Sequence, residues 1–142
     1  MRDLRKIGLL ALLLFLIGGS GYVLLELLWR QYSHWTMFLA GGLCFLLITA
    51  ENESLPAKTA LWQRSLLGGL TITAVEFLSG LILNRWLGWD IWDYSAYRFQ
   101  LMGQISLQYS LGWAALSVFL SRFGHILYTG LKKRCFPDEP AE

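Results

Sequence analysis

The residue best suited to chemistry in this chain is Glu76, a carboxylic acid inside the apolar run of residues 61–83. Glu76 would lie near the middle of a bilayer if this run crossed one. A carboxyl group at that depth either carries a proton or meets a cation or a hydrogen-bond donor, because an unpaired charge is costly in hydrocarbon. Helical spacing places Thr73, Gly80 and Asn84 on the same face. This face indicates ligand contact, proton coupling or cation pairing, and it leaves open that Glu76 only joins neighbouring helices.

A second polar group lies at the end of the first apolar run. Tyr22, Glu26 and Arg30 follow one another at intervals of four, so they share a helix face and Glu26 can pair with Arg30. His34 opens the next run after a tight turn at residues 31–33 and can join them. The group predicts a polar cluster at one membrane surface. The alternative is that the ion pair only fixes the turn between two helices.

The segment 84–104 combines aromatic rings with charges. It contains Trp86, Trp89, Trp92, Tyr94, Tyr97 and Phe99, interleaved with Arg85, Asp90, Asp93 and Arg98. Indole and phenol rings are favoured where apolar and aqueous phases meet. We predict a structured cap across the outer mouth of the helices, in which Trp92, Asp93 and Tyr94 control access. A plain aromatic belt around an ordinary loop is the alternative.

The last apolar run has one small, weakly polar side. This stripe comprises Gly103, Ser106, Ser110, Trp113 and Ser117. Close packing of helices explains most of it, because small residues let helices approach and hydroxyl groups bond between them. A separate i, i+4 ladder comprises Gln100, Gln104 and Gln108. The ladder is predicted to bind a solute or to hold the cap in place.

The elements that must position these residues follow from run length. The chain has 142 residues, of which 55% are hydrophobic and 15% are charged, and its apolar residues come in runs. About 20 helical residues cross a bilayer. We therefore predict an all-α polytopic membrane protein with four transmembrane helices in a compact bundle, residues 1–134, with the cap between helices 3 and 4. The predicted spans are about 7–28, 34–50, 61–83 and 105–128, and residues 135–142 are predicted to form a disordered cytoplasmic tail.

Basic residues set the predicted orientation, because cytoplasmic flanks and short loops carry an excess of Lys and Arg. Four crossings place both termini on the same side of the membrane. That side holds nine of the twelve basic residues, and the other side holds Arg30, Arg85 and Arg98. We predict a multi-pass protein of the cell membrane with cytoplasmic N- and C-termini. The glycines at positions 18, 19 and 21 could also end a secretory signal peptide, but the apolar run resumes directly after them, which favours a retained span.

The sequence lacks the common motifs of nucleotide, zinc and serine chemistry. It contains no Walker loop, no His-Glu-x-x-His, no Cys-x-x-Cys and no Gly-x-Ser-x-Gly. We therefore predict no catalytic residue, no metal and no cofactor, and any ATPase that energises transport would be a separate chain. Basic residues near the tail fit anionic membrane lipids better than nucleic acid, so no nucleic-acid partner is expected.

Several short motifs occur together within residues 18–118. They are Gly21-Tyr22, Leu25-Glu26, Trp29-Arg30, Ser33-His34 with Met37, Glu76-Phe77, Ser79-Gly80, Trp92-Asp93-Tyr94-Ser95, Gly103-Gln104-Ile105-Ser106, Tyr109-Ser110 and Trp113. In these motifs the sequence resembles the Putative ABC-transporter type IV family, also called CmpB-like membrane proteins. The resemblance implies a permease. It also implies glycine at the position of Gln31 and a Pro-x-Asn-like stretch at residues 97–100, where this chain has other residues.

The leading hypothesis is a small permease-like membrane protein that binds or passes a solute through a polar intramembrane pocket. The predicted lining is Tyr22, Glu26, Arg30, His34, Glu76, Asn84, Trp92, Asp93, Tyr94, Gln104, Ser106 and Ser110. Four helices enclose little volume, so we expect a homo-oligomer or a partner membrane subunit. Two alternatives stay open. One is an intramembrane enzyme that acts on a lipid or lipid-linked substrate through His34 with Glu26 or Asp93. The other is a structural or regulatory subunit of a membrane complex.

Overall fold

The computed structural model describes residues 2–137, with side chains from residue 4 onward. Four α-helices account for most of them: α1 at Arg2–Arg30, α2 at Trp35–Ser54, α3 at Leu61–Gly80 and α4 at Leu107–Cys135. The prediction of an all-α fold is confirmed for this part of the chain. The predicted tail begins at Cys135, where α4 ends, and its residues 138–142 lie outside the described residues.

Three of the helical stretches are long and apolar enough to cross a membrane. They are Leu4–Arg30, Trp35–Ser54 and Leu61–Trp86, among the residues that the structure describes. The second stretch reaches Ser54, four residues beyond its predicted end. α4 has 29 residues and is about 44 Å long, but it carries more polar side chains and does not belong to this group. The fourth crossing therefore stays a prediction.

The described residues divide into two compact units. The first contains α1, α2 as far as Glu53, and α4 from Leu120 onward, whereas the second contains Ser54–Phe119. In the first unit the buried side chains of Leu10, Leu14 and Phe45 form an apolar core against which Leu120 and Leu127 of α4 pack. This core joins three helices through aliphatic and aromatic side chains.

Paired glycines let α1 and α2 approach closely. A Cβ atom added to Gly18 would overlap the Phe45 side chain, and one added to Gly41 would overlap Tyr22. Their neighbours Gly19 and Gly42 face Phe38 and Phe15 in the same way. Each glycine pair thus receives aromatic side chains from the other helix, as expected for an antiparallel pair of helices packed through small residues.

The turn between α1 and α2 begins with a residue in a left-handed conformation. Gln31 has φ 58°, and its backbone N–H donates to Leu27 O at 3.1 Å. This is the usual way for a helix to end, and glycine is the residue that adopts the conformation without strain. The conformation explains why the family resemblance implies glycine at position 31.

α3 and α4 pack against each other in the second unit. The Ser117 hydroxyl donates to Ser65 O at 2.9 Å, and the Thr73 hydroxyl donates to Ser110 Oγ at 3.0 Å. Residue numbers rise on one helix as they fall on the other, so the two segments run antiparallel. Gly69 provides the space between these contacts, because an added Cβ would lie 2.7 Å from the Ala114 backbone.

α3 continues into a π-helical turn at Leu81–Trp86, and a two-stranded hairpin precedes α4. β1, Gln100–Leu101, pairs antiparallel with β2, Ile105–Ser106. The turn between them places Met102 and Gly103 at φ 55° and 71°. The predicted glutamine ladder is therefore wrong: Gln100 and Gln104 belong to the hairpin and its turn, and do not share a helix face with Gln108.

Candidate functional site

The Glu76 carboxylate is held by two neutral donors. The Tyr94 hydroxyl donates to Glu76 Oε1 at 2.7 Å, and the Trp113 indole N–H donates to Oε2 at 3.0 Å. Glu76 is partly buried. The three residues come from α3, the segment before the hairpin, and α4, so this carboxylate joins three parts of the second unit.

Helix geometry explains why Glu76 meets Trp113. Side chains on an α-helix lean toward the N-terminus of their own helix. Because α3 and α4 run antiparallel, the side chains of Glu76 and Trp113 lean toward each other. Glu76 follows Thr73, and Trp113 follows Ser110, by three residues each. Because these steps go in opposite directions along antiparallel helices, the Glu76–Trp113 contact lies at about the same level as the Thr73–Ser110 hydroxyl pair.

Tyr94 reaches Glu76 because its segment is fixed by the buried Asn84 side chain. The Asn84 amide nitrogen donates to Trp92 O and to Gln104 Oε1, each at 2.9 Å, and its Oδ1 accepts from the backbone N–H of Ile91 at 2.7 Å. The π-helical turn carries Asn84, and Leu87 N–H donates to Ile82 O, five residues back, at 2.9 Å. Turns of this kind are frequent at functional sites.

The motif Trp92-Asp93-Tyr94-Ser95 is joined directly to Gly103-Gln104. The Trp92 indole N–H donates to Gln104 O at 3.0 Å, and Tyr94 N–H donates to Gly103 O at 2.8 Å. Gly103 allows this contact, because a Cβ atom there would lie 2.7 Å from Asp93 Oδ1 and from Ser95 Oγ. Two of the motifs that carry the family resemblance are therefore parts of one hydrogen-bonded structure.

Asp93 forms a local turn with Ser95. Its Oδ1 accepts hydrogen bonds from the Ser95 hydroxyl and from the Ser95 backbone N–H, the latter at 2.8 Å. These bonds lower the pKa of the exposed Asp93 carboxyl below its usual value, with the hydroxyl as the larger cause. The Asp93 carboxylate thus shapes the turn that carries Tyr94. Its predicted role in controlling access to the site is not tested by this geometry.

A cluster of aromatic rings surrounds the Glu76 contacts. The rings of Tyr94 and Tyr109 stack with their centroids 4.5 Å apart, and Tyr97 meets both edge-on at 5.8 and 5.7 Å. Trp113 continues the cluster, with its ring centroid 6.2 Å from that of Tyr109. We call these four residues the aromatic cluster. The sequence prediction included Tyr94 in the site and missed the roles of Tyr109 and Trp113. The available signal was their spacing of four residues, which places both rings on one face of α4.

The predicted Glu26–Arg30 ion pair forms in the first unit, with Arg30 Nη1 3.0 Å from Glu26 Oε1. Ser33 completes it, because its hydroxyl donates to Glu26 Oε2 at 2.7 Å across the turn. His34 Nδ1 lies 2.8 Å from the Thr36 hydroxyl. Glu26 is buried, and its oxygens are hydrogen-bonded to Arg30 at the end of α1 and to Ser33 in the turn before α2. A role of this cluster in ligand binding stays a prediction.

The remaining predicted site residues have structural contacts. Tyr22 packs against Gly41, and Ser110 accepts from Thr73. Ser106 Oγ accepts from Tyr109 N–H at 3.4 Å at the start of α4, where a serine often caps a helix. The predicted lining residues thus fall into two sets, one in each compact unit. A common pocket stays a prediction.

The donor set does not favour a metal. Among the described residues, no group of three or more His, Cys, Asp or Glu side chains could hold a metal ion. The Glu76 site instead combines one carboxylate with hydroxyl, indole and ring surfaces, which suit an organic ligand.

Three apolar helical stretches of membrane-spanning length, one of which carries Glu76, define an α-helical membrane protein. Large exposed side chains such as Leu12, Leu24, Leu70 and Phe119 agree with this class, since they would contact lipid. The chain belongs to the Putative ABC-transporter type IV family, whose model matches residues 2–137. The family resemblance seen in the sequence is thereby confirmed. No solved structure matches the chain.

Proposed function

We propose that this protein is a small permease-like membrane protein that binds or passes a solute at Glu76. The observation that carries the proposal is a carboxylate in the stretch Leu61–Trp86, which is long and apolar enough to cross a membrane. Among the described residues, only the neutral donors Tyr94 and Trp113 hold this carboxylate. An acidic group at such a depth is retained where it has a function or a partner. Membership of an ABC-transporter-type family supports the same conclusion.

In this proposal α4 is the fourth crossing and both termini are cytoplasmic. Three basic residues, Lys132, Lys133 and Arg134, end α4, which suits a cytoplasmic membrane surface. The segment between α3 and α4 then lies on the outer side as a cap. Its exposed Trp86, Trp89 and Phe99 suit the depth of lipid headgroups.

The proposed working form is an oligomer or a complex with a partner membrane subunit. A single set of four helices offers little room for a solute path. If the process is active, ATP is hydrolysed by a separate ATPase, as the name of the family suggests. The polar connection between α2 and α3, residues 55–60, is the proposed contact on the cytoplasmic side.

The test compares Glu76→Gln with the wild type and with Glu53→Gln. Glu53 is a matched control, because it is exposed at the end of α2 and bonds to His125. Each protein is purified in mild detergent, and co-purifying small molecules and proteins are identified by mass spectrometry. We expect a small molecule that is retained by the wild type and Glu53→Gln and lost from Glu76→Gln, although Glu76→Gln is still folded under the conditions of purification.

Two results would contradict the proposal. If Glu76→Gln lowers the melting temperature and leaves every bound small molecule in place, Glu76 is a structural residue and the protein is a scaffold subunit. If the protein turns over added lipid and His34→Ala abolishes that turnover, the protein is an intramembrane enzyme.

A further inference from the structure

We propose that the solute bound at Glu76 is an organic ammonium cation, recognised by the carboxylate together with the aromatic cluster. This inference rests on the proposed function, because it names the chemical class of the solute at the same site.

The charge at the Glu76 site favours a cation. No Lys, Arg or His side chain of the described residues forms an ion pair with Glu76. Its two partners, the Tyr94 hydroxyl and the Trp113 indole, are neutral donors and occupy one position on each oxygen. A carboxylate has about four acceptor positions, so two remain for the N–H groups or the positive charge of a ligand. An anion would meet repulsion at the same place.

The aromatic surface around the carboxylate also favours a cation. The faces of Tyr and Trp rings carry negative electrostatic potential, and a cation within about 6 Å of a ring centroid is attracted to it. Tyr94 and Trp113 touch the carboxylate directly, and Tyr109 joins their rings at centroid distances of 4.5 and 6.2 Å. A ligand that reaches Glu76 therefore meets ring surface beside the charge.

The small number of oxygen ligands at the site favours an organic cation over an inorganic one. Hard cations such as Ca²⁺ and Mg²⁺ require about six or more oxygen ligands, some of them water. The site offers one carboxylate and one phenol oxygen, and the nearby Thr73 and Ser110 hydroxyls are bonded to each other. An alkylated ammonium group needs no such shell, because its methyl or methylene groups spread the charge over surface that packs against rings.

Arginines of the connecting segment do not change this conclusion. Arg85 and Arg98 are exposed, and Arg98 lies over the Phe99 ring, 5.7 Å from its centroid. The acidic residues Asp90 and Asp93 are exposed in the same segment and balance their charge. The sign of the site is therefore set by Glu76.

The experiment is calorimetric titration of the purified full-length protein with tetramethylammonium, choline and tetraethylammonium. Two probes serve as controls: K⁺, and the uncharged carbon isostere of choline, in which a tert-butyl group replaces the trimethylammonium group. We expect saturable binding of at least one ammonium ion and none of either control. Glu76→Gln should weaken that binding about tenfold or more, because it removes the charge and keeps the shape.

A matched pair of variants tests the rings. Tyr109→Leu removes a ring and should weaken ammonium binding about tenfold, whereas Tyr109→Phe keeps the ring and should stay within about threefold of the wild type. Melting temperatures show that the variants are folded. The inference is overturned if no ammonium ion binds, if the uncharged isostere binds as well as choline, or if Tyr109→Leu binds like the wild type.

The outcomes also separate this inference from the proposed function. A neutral or anionic molecule that co-purifies and is lost in Glu76→Gln would overturn the ammonium class and leave the solute site at Glu76 in place. Absence of any Glu76-dependent ligand in both experiments would overturn the two together.

Discussion

Replacing Asn84 by Ala tests whether one buried amide fixes the segment that brings Tyr94 to Glu76. The Asn84 side chain makes three hydrogen bonds, to Ile91 N–H, Trp92 O and Gln104 Oε1. Asn84 is only 7% exposed, so water cannot readily take the place of its amide group in these hydrogen bonds. At about 0.5–1.5 kcal/mol for each bond, the expected loss is roughly 2–4 kcal/mol in the free energy of unfolding.

The assay is reversible unfolding of the purified protein in mixed detergent micelles, followed by far-UV circular dichroism and tryptophan fluorescence. Gln108→Ala is the matched control, because it truncates an exposed amide in the same unit and should change stability by less than about 0.5 kcal/mol. A double-mutant cycle with Gln104→Ala should give a coupling energy of about 1 kcal/mol, since the two amides bond directly.

The reasoning is refuted if Asn84→Ala unfolds within about 0.5 kcal/mol of the wild type. The buried amide would then not fix the segment, and the position of Tyr94 beside Glu76 would need another cause. A loss of stability without any coupling to Gln104 would place the effect in the bonds of Asn84 to Ile91 and Trp92.

Two further predictions concern packing and titration. Gly124→Ala should destabilise the protein by about 1–3 kcal/mol, because the added Cβ would overlap the Thr49 hydroxyl. Adding Thr49→Ala to this variant should restore part of the lost stability. The control Gly130→Ala should be neutral or stabilising in the same unfolding assay, because a Cβ added there meets nothing within 4 Å. Equal effects of the two glycine substitutions would contradict the packing argument. Ser95→Ala should raise the pKa of Asp93 toward its usual value in an NMR carboxyl titration, because the hydroxyl bond that lowers it is removed. Since folding lowers the pKa of Asp93, the contribution of this turn to stability is present above the ordinary carboxyl pKa and is lost as the pH falls through the lowered pKa. An unchanged titration midpoint of Asp93 in Ser95→Ala would show that the hydroxyl bond is absent in solution.

The helices and the Glu26–Arg30 pair could be predicted from the sequence, because both depend on local spacing. Residues four apart on one helix meet wherever the helix goes. Glu76 could likewise be singled out, since an acidic residue within a long apolar run is rare whatever its partners are. Its partners could not be predicted, because Tyr94 arrives through a segment whose path depends on contacts between Asn84, Trp92 and Gln104, far apart in sequence.

The error in the glutamine ladder has the same origin. Gln100 and Gln104 have helical spacing, but Gly103 at φ 71° and Met102 at φ 55° close a hairpin turn there. The turn is stabilised by Tyr94 N–H bonding to Gly103 O and by the Trp92 indole bonding to Gln104 O. Such long-range contacts outweigh a local sequence pattern, because the pattern alone does not show which other contacts compete with the helix.

The two acidic clusters differ in what they leave unsatisfied, and this difference bears on function. Glu26 has a cationic partner in Arg30 and a hydroxyl donor in Ser33, so its charge is balanced within the chain. Glu76 has donors of the right geometry but no cation among the described residues. The first arrangement is sufficient for a structural role, because each charge of the buried pair is compensated by its partner. In the second arrangement acceptor positions of the Glu76 carboxylate stay open, and the proposed binding of a positively charged ligand would use them.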